Sequence, residues 1–125
     1  MSFVVDVPVR VHSEANRRDH FRAVAARKKQ QRSLVSAELW HHALLHPVPR
    51  APYVVQLIRR CPPRSKCRDS DNLRSALKAV RDAVAEHLDI DDNDLRPNSQ
   101  ARWEYAQEES PRHSVLIRIT SQEAT

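Results

Sequence analysis

Apolar residues in this chain recur with a strand period in some stretches and a helix period in others, and the switches mark out its elements. From Phe3 to Val11 the valines Val5, Val7, Val9 and Val11 fall on alternate positions, which predicts a strand with one buried face. Pro8 sits on the opposite alternation and donates no ladder hydrogen bond, so the strand is expected at a sheet edge. Ser13 is a plausible N-cap followed by Glu14, and no proline or glycine interrupts the chain from there to about Leu45. One long helix is therefore expected, with a stripe of Phe21, Ala25, Val35, Leu39 and Leu45. The stripe is thin in the middle, where Lys28, Lys29, Gln30, Gln31 and Arg32 are too polar to be buried on all sides, and a break near Ser33 is compatible with it. Pro47, Pro49 and Pro52 end the helix, because proline lacks the helical donor. Tyr53 to Arg60 then reads as a second strand carrying Val54, Val55, Leu57 and Ile58, and Cys61 to Arg68 as a proline-bearing basic loop.

The clearest helix follows, from about residue 71 to 88. Leu73, Leu77, Val80, Val84 and Leu88 form one continuous stripe, and Lys78 and Asp82 lie roughly opposite at the spacing of an ion pair. Ala101 to Gln107, with Trp103 and Tyr105 on one face, and Ser114 to Thr120, with Val115, Ile117 and Ile119 on one face, read as two strands joined in a hairpin by Glu108 to Arg112. The expected fold is α/β (α+β): a small mixed β-sheet packed against two main helices in the order β-α-β-α-β-β, a single domain over residues 1–125. Trp103 and Tyr105, alternating on a strand, are expected in core packing more than in stacking on nucleic-acid bases.

Charge changes this picture. Residues 1–68 hold fourteen Lys/Arg against four Asp/Glu, whereas residues 69–125 hold seven against twelve. The basic half is concentrated in Arg17, Arg18, Arg22, Arg27, Lys28, Lys29 and Arg32, with Arg64, Lys66 and Arg68 in the later loop, a distribution suited to gripping a polyanion. Glycine is absent, so neither a P-loop nor a dinucleotide fingerprint is possible and no small-molecule organic cofactor is expected. No apolar run is long enough to span a membrane and the first residues lack a signal-peptide pattern, so a cytoplasmic protein with no membrane partner is expected. Reducing surroundings then make free thiols the expectation for Cys61 and Cys67. Zinc is rejected because His41-His42 lacks ligand spacing, and His41, His42 and His46 are read as surface residues or carbonyl caps.

Two carboxylate clusters bracket the clear helix: Asp69 and Asp71 before it, Asp91, Asp92 and Asp94 after it. Helix caps and turns account for one acid at each end but not for several. Crowded carboxylates raise each other's free energy unless a cation sits between them, and oxygen-only ligand sets suit Mg²⁺ or Mn²⁺. Asp89, Asp91 and Asn93 match the start of a calcium loop, but Asp94 replaces its glycine and Gln100 its bidentate glutamate. A straight helix of this length is about 25 Å long, so the clusters share an ion only if a flanking segment folds back. Turn chemistry and a metal site both remain open on this pattern.

The motif Asp69-Ser70-Asp71-Asn72-Leu73, then Lys78, Asp82-Ala83-Val84 and Ile90-Asp91-Asp92, resembles the signature of RusA-type Holliday-junction resolvases. Arg81, Arg96, Trp103 and Tyr105-Ala106-Gln107, together with Ser13 to Asn16 and the basic helix, resemble a prophage branch of that family. The resemblance covers about residues 5–120. It implies a homodimer that binds branched DNA and nicks four-way junctions by Mg²⁺- or Mn²⁺-dependent hydrolysis in DNA recombination or repair. By the same resemblance Asp69, Asp71 and Asp92 are catalytic metal ligands, Asp91 assists, and Lys78 stands in for a family lysine whose usual position holds Ser75. The basic residues named above would contact DNA. The alternative is a RusA-like DNA-binding prophage protein that has lost cleavage.

Overall fold

In the computed structural model, the described residues are 2–11, 21–63, 73–90 and 100–122. They form β1 (Ser2–Val7), α1 (Phe21–Ala43), β2 (Tyr53–Cys61), α2 (Leu73–Ala76), α3 (Lys78–Leu88), β3 (Ala101–Glu109) and β4 (Ser114–Ser121). This is the expected mixed sheet with helices in the expected order, and Leu77 separates the second helix into α2 and α3. Its φ of −96° and ψ of 4° leave the helical region, yet Leu77 N still bonds Leu73 O and Arg81 N bonds Leu77 O. The helical phase therefore carries across the break, and Leu73, Leu77, Val80 and Val84 stay on one buried face as the stripe predicts.

The sheet order is β1-β4-β2-β3. β4 lies antiparallel to both β1 and β2, while β2 and β3 are parallel. The expected hairpin between the last two strands is thus not formed: β2 lies between them. The physical reason is that β3 is the return strand of a β-α-β crossover, the connection a parallel pair requires. Ser110 N donates to Cys61 O where β3 leaves β2. Among the described residues β1 pairs with β4 alone, at the sheet edge as expected, but the strand ends at Val7 and not Val11, so Pro8 follows the strand instead of lying within it.

Inward-facing residues of the strands, among them Phe3, Val5, Val7, Val55, Leu57, Val115, Ile117 and Ile119, form one core with Val35 and Leu39 of α1 and the α2–α3 stripe. At about 25 cal/mol per Å² of apolar surface, burial of such side chains contributes roughly 1.5–3 kcal/mol each, which fixes the strand faces. The other face of the sheet carries a polar ladder: Arg118 Nη1 donates to Gln56 Oε1 at 3.1 Å and Gln56 Nε2 to Glu104 Oε1 at 3.0 Å. The α1 stripe is shorter than expected. Val35 and Leu39 are buried, Ala25 is exposed, and Leu45 lies beyond the helix end and is 72% exposed, beside exposed Trp40 and Leu44. The helix stops at Ala43, before Pro47, so position 45 no longer continues the helical face.

The cysteine expectation is also corrected. Cys61 is buried at the end of β2 and disulfide-bonded, and the chain's only other cysteine is Cys67. Cys67 lies outside the described residues. No helix among the described residues is long and apolar enough to cross a membrane.

Candidate nucleic-acid interface and metal ligands

α1 carries the predicted basic surface. Lys29 and Arg32 are exposed and Lys28 is half-buried, and with Ser33 and Ser36 they line an open groove against Glu86 of α3. Arg32 Nη2 lies 3.3 Å from Glu86 Oε2, with both side chains largely in water. Exposed pairs of this kind contribute at most about 1 kcal/mol, so a phosphate competes readily for the guanidinium. Arg22 is exposed on the same helix, and Arg27 is half-buried beside Arg10 and Gln31 at the end of β1.

The acidic clusters flank described elements without belonging to them. Asp69, Asp71, Asp91 and Asp92 lie outside the described residues, as do Arg17, Arg18, Arg64, Lys66 and Arg68. Leu73, buried at the start of α2, follows the first cluster by two positions. The second cluster follows Asp89, which caps α3 in the left-handed conformation at φ 55°, and Ile90, whose N–H bonds Ala85 O. Among the described residues no group of three or more His, Cys, Asp or Glu side chains is placed to hold a metal. Lys78 opens α3, exposed, with Nζ 3.7 Å from Asp82 Oδ1, the ion pair its spacing predicts.

Arg81, Trp103 and Tyr105, which the sequence offers only as part of the family resemblance, come together with Arg74 on the β3 side of α2–α3, a cluster the sequence reading did not anticipate. The Arg81 guanidinium lies 4.7 Å from the Trp103 ring centroid, and its Nη1 donates to Tyr105 Oη at 2.5 Å. The Arg74 guanidinium lies 5.3 Å over the Tyr105 ring. One residue pair further along the same strand faces, buried Arg59 of β2 donates through Nε to Gln107 Oε1 at 2.8 Å. Trp103 and Tyr105 are half-buried and packed against the core, as expected, but their outer faces meet arginines. The sequence carries a signal for the helical half of the cluster alone. Arg74, Lys78 and Arg81 recur at the helix period, as the apolar stripe does.

Histidines gather at the other end of the helices. His42 and His46 stack at 4.3 Å, His42 meets Phe3 edge-on, and His87 meets Trp40 edge-on. Burial holds the imidazoles of His87 and His42 below their ordinary range, with the charges of His46 and His41 adding to the effect at His42 and Glu38 opposing it.

No family model matches the chain, and no curated protein matches it.

Proposed function

We propose that this protein is a metal-dependent, structure-specific DNA endonuclease that nicks four-way junctions as a homodimer. The observation that carries this reading is the pair of acidic clusters, Asp69-x-Asp71 and Asp91-Asp92, set on either side of one helical unit in a chain whose other half is basic. The likeness of that pattern to RusA-type resolvases supports the junction as substrate.

The donor set fits Mg²⁺ or Mn²⁺, since every candidate ligand is a carboxylate oxygen. Such an ion supplies an activated water and stabilises charge on the phosphate under attack. In this reading Asp69, Asp71 and Asp92 hold the metal and Asp91 assists them. Lys78 extends into solvent one turn beyond Arg74, where its ammonium is available to a phosphate oxygen once the weak contact to Asp82 yields. Lys28, Lys29 and Arg32 hold the DNA backbone in the α1 groove, releasing counterions as they do so. Two symmetric nicks need two active sites facing one junction, which a two-fold dimer provides.

The test uses a synthetic four-way junction with Mg²⁺, a chelator control and an Asp71→Asn variant. Metal-dependent nicking by the parent, with binding but no nicking by the variant, is the expected result. Binding without nicking by the parent would replace this reading with that of a junction-binding module. Failure to bind either junction or duplex would end both.

A further inference from the structure

We infer that Arg74, Lys78 and Arg81, backed by Tyr105 and Trp103 on β3, form a second phosphate-contacting ridge, separate from the basic face of α1, and that this ridge lets the protein grip a second DNA segment at a branch. The inference rests on the DNA-binding part of the proposed function and assigns the origin of its branch preference.

Three observations converge on the ridge. Positions 74, 78 and 81 are four and three residues apart, and the hydrogen bonds across Leu77 preserve helical phase, so the three cations share one face. That face looks toward β3, whose sole strand neighbour among the described residues is β2. The opposite flank of α3 looks toward α1, where Glu86 meets Arg32 and His87 meets Trp40. The protein therefore presents cations on both sides of α3, about a helix diameter of 10–12 Å apart or more.

The ridge is built to hold its charges still. A guanidinium stacked on an aromatic ring keeps its N–H edge directed outward and has already lost much of the rotamer freedom that phosphate binding would cost. Arg74 over Tyr105 has this arrangement and is exposed, and Arg81 is fixed by Trp103 and the Tyr105 hydroxyl. Among the described residues Lys78 meets Asp82 at 3.7 Å, a long contact between partly exposed groups. Glu104 points to the opposite sheet face, where Arg102 and Gln56 engage it. A linear duplex satisfies one basic surface, whereas a branch delivers a second backbone to the other flank of α3.

Salt dependence of binding reads the number of phosphate contacts directly, with a log–log slope of about −0.9 per contact on duplex DNA. Affinities for a four-way junction and a matched linear duplex are measured without divalent metal across a range of salt, for the parent, Arg74→Gln and Arg74→Gln/Lys78→Gln. The parent slope should be steeper on the junction than on the duplex. Arg74→Gln should shallow the junction slope by about 0.9 and leave the duplex slope unchanged. Adding Lys78→Gln, at a residue that also faces a phosphate at the proposed cleavage site, should bring the junction loss to about 1.8 while the duplex loses no more than about 0.9. Lys28→Gln/Lys29→Gln should shallow both. A purely structural role for Arg74 would lower the melting temperature and leave the slopes alone. In a Trp40→Phe background Trp103 is the remaining tryptophan, and its emission should change on junction but not duplex binding. Equal losses of slope on both DNAs, or a junction slope unaltered in the double variant, would overturn the ridge while leaving the nuclease reading intact. Absence of any DNA binding would overturn both.

Discussion

Replacing Arg81 and Tyr105, singly and together, measures the tie between α3 and the outer strand. Arg81 Nη1 donates to Tyr105 Oη at 2.5 Å. A hydrogen bond to a charged group contributes about 1.5–3 kcal/mol, but both side chains here are half-buried and water replaces part of what is lost. The expected coupling is therefore about 1 kcal/mol. Arg81 also faces Trp103 and makes further contacts, so the single loss in Arg81→Met overstates the bond to the phenol. The double-mutant cycle cancels those other contacts, because they are absent from both Arg81→Met and Arg81→Met/Tyr105→Phe. Urea unfolding of the four proteins gives the coupling directly, and each kcal/mol corresponds to about 4 °C in melting temperature for a domain of this length. A coupling below about 0.3 kcal/mol, the ordinary scatter of additive substitutions, would refute the contact and remove the rigid backing of the ridge.

Leu77→Ala should cost about 2–5 kcal/mol, because its side chain is fully buried where α2 joins α3, while Leu45→Ala should change stability by less than about 0.5 kcal/mol. Chemical denaturation separates the two, and equal losses would contradict the short α1 stripe. Acidification should destabilise the fold through His87. Burial sets its folded pKa below the ordinary histidine value of 6.5, so the unfolded chain takes up the proton first as pH falls. That contribution is complete above about 6.5 and is lost as pH drops toward the lower folded value, at no more than about 1.4 kcal/mol per pH unit for one proton. His42 and His113 act with the same sign. Urea midpoints at pH 7.5 and 5.5 should differ less in His87→Gln than in the parent, and a parent more stable at the acid pH would contradict the sign.

Periodicity carried most of the fold. Alternating valines in β1 and the 73–88 stripe specify which face is buried, and burial energy enforces that choice whatever the neighbours are. Strand neighbours were less legible. Ser110 and Pro111 between two strands read as a hairpin, yet the β3 backbone pairs with β2, because pairing partners are chosen by tertiary packing of the crossover and leave little trace in the loop itself. The C-terminal end of α1 was misjudged for a related reason: Leu44 and Leu45 are apolar but fall after Ala43 and are exposed, while the expected start at Ser13 lies outside the described residues. At the candidate site, the Lys78–Asp82 pair was legible from spacing alone. Contacts of Arg74 and Arg81 with Tyr105 and Trp103 depend on which strand lies beside α3, and sequence spacing does not encode that.

The proposed divalent ion would connect the acidic pattern to the fold. α3 alone is about 16 Å long, so the clusters before Leu73 and after Ile90 do not meet along the helix itself. Segments 64–72 and 91–99 each have nine residues, enough to reach about 30 Å when extended, so chain length does not forbid convergence. Electrostatics opposes it: unit like charges 4 Å apart repel by about 1 kcal/mol in water and about 4 kcal/mol at a protein surface. A divalent ion reverses that sign and should therefore stabilise the folded state. At tenfold excess over its Kd the gain is about 1.4 kcal/mol, or about 5 °C in melting temperature. If one ion is shared, Asp71→Asn and Asp92→Asn should each remove nearly all of that Mg²⁺-induced shift, since each breaks the same ligand set. If the clusters bind ions independently, each variant should retain about half of it, and the double substitution should be needed to abolish the rest. Retention of half in each single variant would refute the shared-ion arrangement, and no shift in the parent would remove the metal from the argument altogether.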